Sequence, residues 1–113
     1  MIKRVFHDHK NEDKRRKRTI CVIQDKGIAY IGIAICSSED QYVKKIGRMI
    51  AEDRADNVYK KRNSEIRDLI QNDFQFSINI ESEIVRGIVS HKFDIPPFML
   101  EHVPEIPDDE IPF

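Results

Sequence analysis

The sequence predicts an α+β fold: an antiparallel β-hairpin or sheet packed on one long and one or two short helices, assembled as an oligomer. Three observations predict it. Residues 19–23 and 28–36 are nearly unbroken β-formers flanking Gln24-Asp25-Lys26-Gly27, where Gly27 suits a left-handed turn position. Residues 39–62 repeat apolar side chains at helical spacing. Residues 74–81 alternate apolar and polar without a fault, the period of a half-buried strand.

The hairpin leaves the oligomer open as one of two equal readings. Either register leaves both of its faces apolar, whereas antiparallel sheets commonly leave one face to water. One cover is the helix that follows; the other is a further element of the chain or a second subunit.

The remaining elements fall into order around this centre. In residues 1–17, Ile2, Val5 and Phe6 can add a short strand to an otherwise charged, irregular segment. Ser37-Ser38-Glu39-Asp40 stops the second strand and caps the helix over 39–62, because their side chains accept from the free N–H groups of a first turn. Gly47 lies on that helix's inner face and permits close approach of a strand, a helix or a ligand. Asn63-Ser64-Glu65 offers a fresh cap, so a break and a short second helix with Ile66, Leu69 and Ile70 are expected. Residues 82–92 set Ile84, Val85, Ile88 and Val89 at helical spacing. From Asp94 onward Pro96, Pro97, Pro104, Pro107 and Pro112 predict an extended tail without regular structure. Its Phe98, Met99, Leu100 and Phe113 suggest that it docks.

At 113 residues the chain holds one modest core, hence a single domain over 1–113. The net charge of −1 conceals an asymmetry. The start carries Lys3, Arg4, Lys10 and the run Lys14-Arg15-Arg16-Lys17-Arg18; the end carries Glu101, Glu105, Asp108, Asp109 and Glu110. These two ends could meet each other, another subunit or a polyanion. No apolar run spans a bilayer and the first residues are too polar for a secretory signal, so a cytoplasmic protein without membrane contact is expected. Cys21 and Cys36 fall on different rungs of the hairpin and read as small apolar residues, not as a bridge.

Enzyme signatures are thin. His7-Asp8-His9 lacks further ligands nearby for a tetrahedral metal site, so no metal is expected. Cys36 ends a strand at a helix start, yet has no recognisable base. Phosphate loops of the Walker or Rossmann kind are absent, and no cofactor is implied.

Anion binding draws more signals together. The Ser37-Ser38 turn leads into a helix N-terminus, whose N–H groups favour phosphate, although ordinary capping explains it equally well. Lys44, Lys45 and Arg48 flank the same helix. Arg54 falls within the stripe of Val43, Ile46, Gly47, Ile50, Ala51 and Val58, where a guanidinium must meet an anion. That anion is either a ligand or an internal carboxylate such as Glu81, Glu83 or Asp94. Asn57 lies near the stripe and could add a directed hydrogen bond. Phe74, Phe76 and Tyr30 could stack on a nucleobase, although phenylalanine at strand spacing is more often core. The basic run at 14–18 supports an alternative as a small nucleic-acid-binding protein, without aromatic interleaving or a groove-entering motif. A third reading is an inhibitor that grips a host protein through its acidic, proline-rich tail.

The stretch "GIAICSSEDQYVKKIGRMIAEDRA" adds a resemblance. Its "G-I-A-x-C-S" strand end, "D-x-Y-x-K-K-I-G-R" helix start and "I-A-x-x-R-A" turn resemble small phage proteins of the Thoeris anti-defence family known as anti-defence protein one. The likeness spans residues 18–55. It implies a non-enzymatic, oligomeric sponge that holds glycocyclic ADP-ribose, a messenger made by a bacterial TIR protein, away from its effector in the infected cell. Ser37, Ser38, Lys45, Gly47, Arg48 and Arg54 are the positions onto which the motif carries. A ligand with a diphosphate, riboses and adenine asks for arginines, backbone N–H groups and an aromatic platform. The platform would come from Phe74 or Phe76, and enclosure from a homodimer or larger assembly.

Overall fold

A computed structural model describes residues 1–8, 17–36 and 44–103. Strands β1 (Ile2–Asp8), β2 (Lys17–Asp25) and β3 (Ile28–Cys36) precede helix α1 (Lys44–Lys60), the single turn α2 (Arg67–Ile70), strand β4 (Gln75–Asn79) and helix α3 (Glu83–Phe93). A 3-10 turn at Pro97–Leu100 follows. The four strands form one antiparallel sheet in the order β1-β2-β3-β4. The architecture is the expected α+β sheet packed against helices.

The central hairpin turns through two residues. Asp25 pairs with Ile28, while Lys26 and Gly27 have φ of 52° and 78°. Positive φ at both positions is the type I′ geometry, whose twist matches that of the flanking strands. The resulting register places Cys21 opposite Gly32 and Lys17 opposite Cys36, so the two cysteines stand on separate rungs.

Both faces of the hairpin are apolar, and the chain covers both itself. Cys21, Ile23, Tyr30 and Ala34 point to one side and are sealed by Ala51, Ala55 and Val58 of α1. Ile20, Val22, Ala29, Ile31 and Ile33 point to the other, where Phe76, Ile80, Val89, Ile95, Met99 and Leu100 complete a second core. The two-faced hairpin therefore carries no argument for a second subunit.

The second cover is fastened at each end. Ser82 caps α3 by accepting from the Val85 N–H at 3.3 Å. Asp94 closes the helix in a left-handed conformation, φ 51°. Arg18 clamps that end: its guanidinium donates to the carbonyls of Phe93 (2.7 Å) and Asp94 (2.5 Å) and to the Asp8 carboxylate (3.0 Å). A cation over the last carbonyls of a helix satisfies orphan acceptors and opposes the dipole.

The segment after α3 docks, as its apolar residues suggest, but it is not devoid of regular structure. Pro97 opens the 3-10 turn, a position where the missing N–H costs nothing. Met99 and Leu100 are buried, and Phe98 meets Phe6 edge-on at 5.6 Å. Buried Gln24 holds the following strand of chain, donating to the Glu101 carbonyl at 2.7 Å and accepting from the Val103 N–H at 3.0 Å.

Helix α1 buries only part of the expected stripe, Ala51 and Val58, and adds Ala55. Ile46 is 55% and Ile50 39% exposed. The cause lies in the sheet. A Cβ at Gly32 would collide with the Ala51 carbonyl oxygen and the Ala55 amide nitrogen, and would lie 2.9 Å from Arg54 Cβ. The helix backbone thus rests directly on Gly32, and so close a seat selects small side chains. The glycine on which the helix backbone rests is thus Gly32, on the strand side of the contact, while Gly47 is half-buried on α1. Val43 and the Ser37-Ser38 turn lie outside the described residues.

Candidate functional site

Arg54 occupies the flank of α1, about 60° round the helix from Ala51. Its stem crosses the edge of the sheet where β4 begins. The last β3–β4 pair is Gly32 with Gln75, and one residue further the Ile33 N–H still donates to the Phe74 carbonyl at 2.8 Å. A hydrogen-bonded antiparallel pair would return that bond from the Phe74 N–H to the Ile33 carbonyl. Instead the Phe74 N–H turns to the side chain of Asn72, 2.8 Å away. Arg54 Nη1 takes its place and donates to the Ile33 carbonyl at 2.5 Å.

The anion demanded by Arg54's position is thus met in part by a backbone carbonyl. Of the two alternatives, an internal carboxylate or a ligand, the first is not what Arg54 meets among the described residues. Glu81 lies against Gly27, and Asp94 faces Arg18 at 3.8 Å. Among the described residues Arg54 makes no ion pair. Its guanidinium carbon stands 5.1 Å from the centre of the Phe74 ring, a cation–π contact, and Phe74 is 42% exposed. A guanidinium has five donors, so most of them are left for another partner.

The same side chain lines an open cleft of about 400 Å³ with Asp53, Asp56, Asn57, Lys60 and Gln75. Asn57 is therefore brought beside Arg54, as its spacing suggested. Gln75 and Lys60 are additions. Lys60 was legible as the next helical turn after Asp56, but Gln75 depends on where β4 begins. Asp56 is balanced from the far side by Lys3, 3.3 Å away, which leaves Asp53 as the cleft's opposing charge.

The other expected residues divide. Lys45 is exposed on the first turn of α1. Arg48 donates to Glu52 at 2.5 Å, an i,i+4 pair that holds the Glu52 carboxyl below the usual range. Phe76 is corrected from a possible base platform to core: it is 7% exposed and stacks on Phe93 at 4.4 Å. Tyr30 is buried as well and meets Tyr59 edge-on at 5.0 Å. Ser37 and Ser38 lie outside the described residues, so only Arg54, Asn57 and Phe74 are seen together.

A second polar cluster lies under the opposite flank of α1. Lys3 reaches Asp56 and, at 3.7 Å, Glu52. Burial works against its charge, but Asp56 and Glu52 outweigh burial and raise its pKa. Cys21 lies at the base of this cluster, and burial pushes its thiol up to about 12. A neutral, buried thiol is a poor nucleophile. Among the described residues no group of His, Cys, Asp or Glu is placed to hold a metal, and no helix is long and apolar enough to cross a membrane.

The alternatives lose residues to the fold. Arg18, one end of the basic run, is committed to the end of α3, while residues 14–16 lie outside the described structure. Met99 and Leu100 of the tail are buried in the core and cannot face a partner. No known family, curated protein or solved structure matches the chain.

Proposed function

We propose that the protein is a binding protein that sequesters a small anionic, ring-bearing ligand of the cyclic-nucleotide type in the Arg54 cleft, beside the Phe74 ring that Arg54 touches. One observation carries the reading. Arg54 is a cation without an ion pair among the described residues, held against an aromatic ring that remains 42% exposed. The guanidinium suits a phosphate, the ring suits a base, and Asn57 and Gln75 add directed hydrogen bonds. The resemblance of residues 18–55 to the Thoeris anti-defence family names glycocyclic ADP-ribose as the first ligand to try, with sequestration in phage-infected cells as the role.

The cleft is open, and slow release requires enclosure. A second copy of the chain seated on the exposed Ile46, Met49 and Ile50 would close it. The homo-oligomer belongs to the proposal on that ground.

The test is a thermal-shift panel of glycocyclic ADP-ribose, ADP-ribose, cyclic dinucleotides and short RNA. A ligand that binds only the native state raises the melting temperature, by about 2.7 kcal/mol of stabilisation at a hundredfold excess over Kd. Arg54→Ala and Phe74→Ala should abolish the shift, and the ligand should be recovered intact after denaturation. Recovery of a cleaved product would indicate an enzyme. No shift with any nucleotide would refute the reading.

A further inference from the structure

We infer that the corner formed by the end of α1 and by α2 is the docking surface for this chain's own acidic segment, residues 104–113. The corner is basic and unpaired in apolar surface at once. Residues 60–68 hold Lys60, Lys61, Arg62 and Arg67 against Glu65 and Asp68, the latter 3.5 Å from Arg67. Beside them Ile66 is 44% and Leu69 83% exposed, more than any other large apolar side chain in the described residues. Solvent-exposed leucine beside clustered cations is a surface suited to an acidic, apolar partner.

The segment 104–113 has the matching chemistry. It carries Glu105, Asp108, Asp109 and Glu110 without a Lys or Arg, interleaved with Ile106, Ile111 and Phe113. Its starting point lies at the same end of the molecule. Val103 donates to the Gln24 side chain and borders the hairpin turn with Asp25, Lys26 and Gly27. That turn is tied to the end of α1, because Tyr59 donates to Asp25 at 2.8 Å and Arg62 lies over the Tyr59 ring at 4.1 Å. Ten residues span up to about 33 Å, enough to reach across the corner. Tethering gives such a segment an effective concentration near millimolar, so weak contacts suffice. The inference does not rest on the Arg54 ligand.

Zero-length carbodiimide cross-linking of the full chain, followed by peptide mass mapping, tests it. Cross-links from Lys60 and Lys61 to Asp108, Asp109 or Glu110 should form within the monomer. They should fall several-fold in 1 M salt, where screening shortens to about 3 Å. Lys61→Glu combined with Arg67→Glu should reduce them similarly while a cooperative melt persists. Adding Asp108→Lys, Asp109→Lys and Glu110→Lys to that variant should restore cross-linking with the charges reversed. Links confined to dimers, links preferring Lys44 and Lys45, insensitivity to salt, or no links at all would each overturn the inference.

Discussion

Arg54 substitutes for the Phe74 N–H in the sheet: its guanidinium donates to the Ile33 carbonyl that Phe74 leaves unserved, while lying 5.1 Å from the Phe74 ring. One side chain thus repairs the ladder just before β4 begins. Arg54→Ala should cost about 1–3 kcal/mol in chemical denaturation, from an orphaned carbonyl and a lost cation–π contact. Arg54→Lys should recover part of it. An unchanged midpoint for Arg54→Ala would mean that the carbonyl is served by water.

Gly32 is the seat of α1 against the sheet. Gly32→Ala should destabilise by about 3 kcal/mol or more, because the colliding atoms are backbone and cannot rotate away. Gly87→Ala makes the control: a Cβ there meets nothing within 4 Å, and alanine favours a helix by about 1 kcal/mol. The two melts should move in opposite directions.

Arg18 holds α3 through the Phe93 and Asp94 carbonyls and pairs with Asp8. Arg18→Ala should cost about 2–4 kcal/mol, since it removes a charged donor from the Phe93 and Asp94 carbonyls and one ion-pair partner from Asp8. Hydrogen exchange should accelerate first in the last turn of α3. If Arg18 instead served only polyanion binding, stability would not change.

The pH dependence has two limbs. Arg48 holds the Glu52 carboxyl below its ordinary 4.5, so this contribution is complete above that value and is lost as pH falls through the folded pKa. Arg48→Ala should therefore shift the acid transition upward. Tyr59 behaves oppositely: its hydrogen bond to Asp25, with burial adding to it, raises its pKa above 10. That contribution is complete below pH 10 and is lost as pH rises through the folded pKa. Tyr59→Phe should flatten the alkaline limb of the stability profile and leave the acid limb alone.

Cys21 should resist alkylation in the native protein at pH 8, since its thiol is fully buried and raised to about 12. Mass mapping after iodoacetamide treatment, with and without denaturant, reads this directly. Rapid native labelling of Cys21 would show that β2 opens locally.

The elements themselves were legible because each had a strong local signal. The Asp25-Lys26-Gly27 turn, the helical spacing of Ile84, Val85, Ile88 and Val89 in α3 and the alternation of 74–81 act within a few residues. The buried face of helix α1 was legible only in part because periodicity finds an apolar arc but not which part of it touches. Gly32, far away in sequence, chose Ala51 and Ala55 over Ile46 and Ile50. Arg54 stood out from its spacing alone, but its partner is a backbone carbonyl, and no side-chain pattern records which carbonyls a short strand will leave open. Phe74 and Phe76 were equal candidates in sequence. The start of β4 separates them, one reaching Arg54 at the edge and the other Phe93 in the core.

The two cores on opposite sides of the sheet differ in how far the chain must extend before each can close. The core under α1 has its last fully buried member at Val58, whereas the other waits for Val89, Ile95, Met99 and Leu100. At a synthesis rate of about 5–20 residues per second, a nascent chain leaving the ribosome carries one bare isoleucine-rich sheet face for roughly two to eight seconds. The vulnerable moment for this protein is therefore in its making, and chaperone demand should track the interval between α1 and the Pro97–Leu100 turn.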